Sequence, residues 1–347
     1  MESDQEHCRA KAWSAHPTAR ASILIPIVRE LERQRRPAKA LLARHLIPME
    51  QIVDPYLEIP LSRYVAFLET ASEAGEDPFF SAGVGTGFRA TNLGPTGLLF
   101  GASATLRRGL ERLARTLTSW QGGTSIGLRD EEDLLVWTYR IEDPLIWPRR
   151  QDSEYTLAAT IAIARDAFGA CGRPLEVHVE HPAPEDPTGL ARILGVQPRY
   201  GQPANRLLFD GANADRVHRR EDRELIAILK RHVEDLRAPE GEEGLMGRVR
   251  GLIGLHLGTR QVSVPLIADE LNVSARTLQR RLAEQGTSLR DLVRQRRLDL
   301  GRVYLNDGRM THADIARALG YTDGTAFWRA FKAGTGFAPS HYHTRSE

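Results

Sequence analysis

Apolar residues recur at two different periods along the chain, and the change of period divides it. At the helical spacing of three and four, they predict helices over Ile23–Gln34, Ala40–Ile47, Leu61–Gly75 and Ser103–Trp120. The last is the plainest, with Leu106, Leu110, Leu113 and Leu117 in one stripe and arginines opposite. TSIGL and LLVWTYRI then flank the polar run Arg129–Asp133, a pattern that predicts a β-hairpin turning there. Tyr155–Ala170 reads as helix, Leu175–His181 as strand, TGLARIL as a short helix, Asn205–Asp210 as strand and Arg220–Leu236 as a charged helix. The two element types mix without regular alternation, so this part is α+β rather than doubly wound.

No periodicity precedes Arg20, and the start of the chain reads as a loose tail. RAPEGEEG, Arg237 to Gly244, combines Pro, Gly and charge with nothing to pack, which is the composition of a linker. Everything beyond it follows the helical period. The expected organisation is a tail over 1–20, an α+β domain over 21–236, a linker over 237–244 and an all-α domain over 245–347.

The all-α domain contains a repeat. IADELNVSARTLQRRL begins at Ile267 and IARALGYTDGTAFWRAF at Ile315. Each has Ile-Ala, a Leu four residues after the Ile, a small polar residue suited to an N-cap, then apolar residues four apart. One helix, a tight turn and a second helix satisfy that pattern, and the unit is used twice. At 100° per residue Leu278 and Leu282 point inward, and Arg276 and Arg280 fall on the opposite face, flanked by Thr277 and Gln279. Arg281 falls nearer the buried edge. In the second unit Phe327 and Phe331 take the inward places, Thr325 and Arg329 the outward ones, and Trp328 stands where Gln279 does. Arginine matches guanine edges and glutamine matches adenine, so both outward faces suit a DNA major groove. Ser288–Asp307 reads as a longer helix joining the units through Leu289, Leu292, Val293, Leu300 and Val303. Its Arg294, Arg296, Arg297 and Arg302 are expected to reach phosphates.

Charge supports this division of labour. Residues 245–347 hold 16 Lys+Arg against 9 Asp+Glu, whereas the rest of the chain holds 31 against 36. A polyanion is therefore expected to meet the C-terminal part only. No apolar run approaches the length of a membrane span, and MESDQEHCRAKAW lacks the apolar core of a secretory signal. Cys8 and Cys171 are the only cysteines, too few for a structural zinc site, and a reducing cytoplasm is the expected location.

With those motifs in place, residues 244–343 resemble the DNA-binding domain of AraC-type transcription regulators. The carrying stretch is IARALGYTDGTAFWRAFKAGTGFAPSHY. It sets Ala316, Leu319, Gly320, Phe327, Arg329, Phe331, Lys332, Gly336, Pro339 and Tyr342 where that family has its hallmark residues. The resemblance implies a sequence-specific regulator, an activator, whose partners are double-stranded promoter DNA, a second copy of the chain and RNA polymerase. Ser274, Arg276, Thr277, Gln279, Arg280 and Arg297 are the expected DNA contacts of the first unit and central helix. Thr322, Thr325, Trp328 and Arg329 are those of the second. Two departures stand out. Gly324 offers no side chain where relatives often place a polar group, and Trp328 is unusual on a groove-facing surface. Both point to stronger base specification by the first unit.

Leu93–Leu117 and Tyr200–Asp210 resemble, more diffusely, the effector domain of AraC-like regulators with a long α+β sensor. That resemblance implies a small-molecule effector and dimerisation. Trp120, Trp137, Tyr139 and Trp147 cluster near the hairpin with Asp133, Glu142 and Asp143, a combination suited to an amine or amino acid, although aromatics so placed are also ordinary core. No cofactor or metal is implied: GVGTGFRA, Gly83 to Ala90, lacks the strand and acidic residue of a dinucleotide site and reads as a flexible loop, and His178 and His181 point to opposite faces of a strand. Two other classes remain open, a ligand-independent DNA binder and an enzyme fused to a DNA-binding domain. Neither EHCRAK nor GACGRP carries a recognisable reactive-cysteine setting.

Overall fold

A computed structural model of the chain describes residues 17–54, 57–117, 120–235, 243–271, 273–307 and 310–339. Thr18–Arg20 (β1), within the stretch expected to hang loose, pairs antiparallel with Glu58–Pro60 (β2). Between them lie Ile25–Arg33 (α1) and Ala38–Arg44 (α2), and Leu61–Glu73 (α3) follows directly. Phe80–Thr86 (α4) contains Gly83 and Gly85, so the first half of GVGTGFRA is helical and not the expected loop, and Gly87 caps the helix end. The reason is packing: a Cβ on Gly85 would lie 2.8 Å from Ala158 Cβ, and only glycine admits the neighbouring helix so closely. Gly94–Gly101 (α5) and Leu106–Thr116 (α6) come next, the latter capped by Thr105, whose Oγ1 accepts from Arg108 N at 3.2 Å. Leu106, Leu110 and Leu113 are buried as their spacing requires.

Thr124–Glu131 (β3) and Leu134–Ile141 (β4) form the expected hairpin with a shorter turn. Arg129–Glu131 continue β3, and the turn is confined to Glu132, at φ 53°, and Asp133. Arg150–Phe168 (α7) begins five residues before its expected start and is buried on nearly every side. Glu176–His178 (β5), Pro187–Leu194 (α8), Pro198–Arg199 (β6), Asn205–Asp210 (β7), Gly211–Ala214 (α9) and Arg223–Asp235 (α10) complete this part. The five strands β3 to β7 form one sheet in the order β3-β4-β7-β5-β6, antiparallel except for the β5–β6 edge. The result is the α+β architecture read from the sequence.

The expected linker lies mostly outside the described residues, and its last two positions open Glu243–His256 (α11). Val264–Glu270 (α12), Ala275–Glu284 (α13), Leu289–Asp307 (α14), His312–Ala318 (α15) and Gly324–Thr335 (α16) follow. Two separate apolar cores form here. Val249, Ile253, Ile267, Leu271, Leu278, Leu282 and Leu289 make one, and Leu300, Tyr304, Ile315, Leu319, Phe327 and Phe331 belong to the other. Helix α14 spans both, with Val293 packed against each. Among the described residues no helix is long and apolar enough to cross a membrane.

Candidate nucleic-acid interface

Each helix-turn-helix unit is defined at its caps. Ser263 Oγ accepts from Leu266 N at 3.4 Å to start α12, and Ser274 Oγ accepts from Thr277 N at 3.1 Å to start α13. In the second unit Thr311 Oγ1 accepts from Asp314 N at 3.2 Å, and Asp323 Oδ1 accepts from Ala326 N at 2.7 Å. That amide, with smaller help from neighbouring groups, holds the Asp323 carboxyl below its usual range. Each cap satisfies a backbone donor the helix itself leaves free. The second unit turns at Gly320, whose φ of +69° is left-handed and favours glycine.

The inward residues are where the spacing put them: Leu278 and Phe331 are fully buried, Leu282 and Phe327 nearly so. Outward, Ser274, Arg276, Gln279 and Arg280 are exposed on α13, with Thr277 half-buried; Arg280 faces Glu284 at 3.5 Å. Thr322, Thr325, Trp328 and Arg329 are exposed on and before α16, and Lys332 Nζ lies 5.0 Å over the Trp328 ring. The two exposed faces therefore repeat one another over buried backs. Arg281 is also exposed, not at a buried edge, because α13 rests on its core through the narrow stripe of Leu278 and Leu282.

The arginines of α14 divide in a way periodicity does not show. Arg294 and Arg302 are exposed. Arg297 is committed to the second unit: Nε donates to Leu319 O and Nη2 to Gly320 O, both at 2.9 Å, and the guanidinium lies 4.6 Å over the Tyr321 ring. It braces the C-terminal end of α15, which leaves Nη1 as its freest donor. Arg296 is buried and donates through Nη2 to Ile141 O of β4 at 3.3 Å, so it faces the α+β domain and not DNA.

That contact belongs to a buried junction. Arg140 of β4, wholly buried, donates from Nη1 to Gly254 O of α11 at 3.0 Å and from Nη2 to Tyr304 Oη of α14 at 3.2 Å. Arg149 makes a bidentate pair with Glu180, Nε to Oε1 at 2.7 Å and Nη2 to Oε2 at 2.9 Å, and its Nη1 donates to the same Ile141 carbonyl at 3.0 Å. Against its own burial, the Arg149 charge holds Glu180 below the usual carboxylate range. Burial, with Arg140 and Arg149 nearby, pushes Arg296 down to about 9, and burial pushes Glu142 up. Sensor and reading head thus share a polar joint in which cations outnumber carboxylates.

The four aromatics expected at an effector site separate. Trp120, Trp137 and Tyr139 are core residues: Trp120 Nε1 donates to Thr96 Oγ1 at 3.2 Å, the Trp137 and Tyr139 rings stack at 6.2 Å, and Tyr139 Oη donates to Asp152 Oδ2 at 2.6 Å. Burial raises Asp152 to about 6 even so. Trp147 lines a cavity of about 540 Å³, together with Phe79, Arg149, Arg150, Glu180 and His181. Its ring also packs edge-on against Tyr304 at 5.4 Å. Of the nearby acids, Glu142 accepts from Ser125 Oγ at 3.0 Å inside the junction, and Asp143 and Asp133 serve turns. Sequence reasoning missed the cavity residues Arg150 and His181, because polar residues at a helix start and after a short strand look like solvated loop.

Comparison with known proteins agrees with this anatomy. The family described as the arabinose-binding domain of AraC transcription regulator, N-terminal, matches residues 36–217, more than half the chain, and a helix-turn-helix domain family matches residues 267–345. The HTH-type transcriptional regulator VirS of Mycobacterium tuberculosis is 28% identical over 81% of this chain and 83% of its own. The ornithine utilization regulator of Pseudomonas aeruginosa is 28% identical over 55% of this chain and 56% of its own. The solved structure of the transcriptional regulator CdpR from Pseudomonas aeruginosa covers 89% of this chain and 97% of its own, at 20% identity and a TM-score of 0.42. An effector-binding domain joined to paired, capped helix-turn-helix units places the chain in the AraC family of transcription regulators.

Proposed function

We propose that α13 and α16 read promoter DNA from successive major grooves, and that a small amine or amino acid bound by the α+β domain controls how they do so. The observation that carries the DNA reading is the repetition of one exposed face on two capped helices, Arg276 and Arg280 on α13 and Thr325 and Arg329 on α16. One rigid helix, α14, joins the two, which suits grooves about 34 Å apart on one side of the duplex. Ser274, Thr277 and Thr322 lie at the helix starts, where phosphates bind. Arg276, Gln279 and Arg280 are the base readers, with Trp328 against a thymine methyl or a sugar. The regulator acts in the cytoplasm as a homodimeric activator in contact with RNA polymerase, and the effector favours one arrangement of the reading heads through its differential affinity.

The amine or amino-acid class is supported by the relative whose name refers to ornithine, an amino acid with a second amine. Footprinting tests the DNA reading: Arg280→Ala is expected to relax base preference in one half of the site at about 1–3 kcal/mol per lost bidentate contact. An unchanged preference there removes Arg280 from the reading set. Gel shifts with and without effector test control, and identical affinity and geometry in both would defeat it.

A further inference from the structure

Lys332 is an outward cation of α16 that the reading of bases leaves without a task. Its Nζ lies 5.0 Å over the Trp328 ring, one turn earlier on the same helix. Both residues are exposed, Trp328 over 38% of its surface. Among the described residues no carboxylate pairs with Lys332, whereas its neighbour Arg329 acts on the carboxyl of the Asp323 cap. The indole is therefore the group that fixes this ammonium. At 100° per residue Lys332 falls about 20° from Thr325, inside the arc between Trp328 and Arg329, with Phe327 and Phe331 behind. The repeat puts Ala283 at the corresponding place on α13, so the first unit has no such cation there.

Position along the helix says what Lys332 can reach. It stands about 10 Å beyond Thr325 at 1.5 Å per residue, and a major groove is about 12 Å wide. When the first turns of α16 lie over base edges, a residue that far along meets the groove wall, where the phosphates are. A compact ammonium suits a phosphate as a point charge. Its four-carbon stem would lose rotational freedom on binding, and a ring that already holds it reduces that loss. We propose that Lys332 contacts a backbone phosphate and that Trp328 positions it, holding the ammonium toward the duplex. The inference rests on the reading of α16 as a groove-facing helix, and adds to it a sequence-independent anchor. Lys332 takes one face of the indole, which leaves the rim of the ring for a methyl or a sugar.

Salt dependence tests this with the full chain, a duplex it selects from a random pool, and an unselected duplex as control. The logarithm of affinity falls with that of salt by about 0.9 per phosphate contact in B-DNA. Lys332→Met is expected to lower that slope by about 0.9 and to weaken binding of both duplexes severalfold at low salt, with the selected sequence unchanged. Lys332→Arg, which keeps the charge, should restore most of the slope. Trp328→Leu should weaken binding in the native background and have little further effect beside Lys332→Met. Trp328→Phe, which keeps a ring face, should retain most of the affinity. Melting curves check that each variant folds, as exposed substitutions allow. An unchanged slope in Lys332→Met, with Arg329→Ala still altering the selected sequence, overturns the phosphate contact and leaves the reading of α16 standing. A changed selected sequence in Lys332→Met makes Lys332 a base reader and overturns the proposal as well. Additive losses from Trp328→Leu and Lys332→Met overturn the positioning role. If neither Lys332→Met nor Arg329→Ala has any effect, α16 does not face DNA at all.

Discussion

The junction between the sensor and the reading head makes a quantitative prediction through Arg140 and Tyr304. Tyr304→Phe removes one acceptor from a guanidinium that has no solvent to turn to, and changes nothing else in the apolar core around the ring. A hydrogen bond to a charged group contributes about 1.5–3 kcal/mol, so the variant is expected to lose about 2 kcal/mol. Arg140→Met costs more, about 3 kcal/mol, because it also frees the Gly254 carbonyl and removes a cation 4.0 Å from Glu180. The two changes share one contact, so the double variant should fall short of the sum by about 1.5–2 kcal/mol. Urea unfolding of the four proteins measures the cycle, provided the slope with urea is the same in all. Additivity within about 0.5 kcal/mol would refute the claim that this pair joins the domains.

Further substitutions test other links. Ser274→Ala removes the cap of α13 and is expected to cost about 1 kcal/mol of stability by urea titration, with DNA affinity falling in parallel. The two glycines of α4 should diverge: Gly85→Ala puts a Cβ 2.8 Å from Ala158 Cβ and should cost about 1–3 kcal/mol, whereas Gly83→Ala meets nothing within 4 Å and should gain up to about 1 kcal/mol. Equal effects in thermal melts would contradict the close helix packing. Burial raises Glu69 from its ordinary 4.5 to about 7, although Oε1 accepts from Gln151 N. The unfolded chain therefore gives up this proton first, and ionisation penalises the fold as pH rises. Glu69→Gln should match the native protein at pH 4, gain on it between about 4.5 and 7, and lead by roughly 2–3 kcal/mol above that. A constant difference across pH would show that Glu69 does not titrate abnormally.

The helical third was legible because its helices are amphipathic in isolation. Stripes such as Leu278–Leu282 and Phe327–Phe331, with Ser274 and Asp323 four residues before the first of each, are local signals that the structure needs only to bring together. The α+β part was less readable where burial and polarity coincide. RQDSE precedes the expected start of the helix, yet Gln151, Asp152 and Ser153 lie in the first turn of α7 at 2% exposure or less, engaged with Ser81, Tyr139 and Asn205, partners remote in sequence. GPTGLLFG gives no stripe because α5 is buried on several sides. Arg140, Arg149 and Arg296 were illegible for another reason. An arginine facing a second domain and one facing solvent have the same periodicity, and only the assembled fold tells them apart.

In α13 and α16 the residues that make the helices fold and those that face outward form disjoint sets. Leu278, Leu282 and the Ser274 cap hold α13, while Arg276, Gln279 and Arg280 contribute little to its packing. Exposed substitutions of this kind usually change stability by under about 0.5 kcal/mol. Such a helix can exchange its outward letters one at a time without passing through an unfolded intermediate sequence. Its target can drift, or be redesigned, at almost no thermodynamic cost to the protein that carries it.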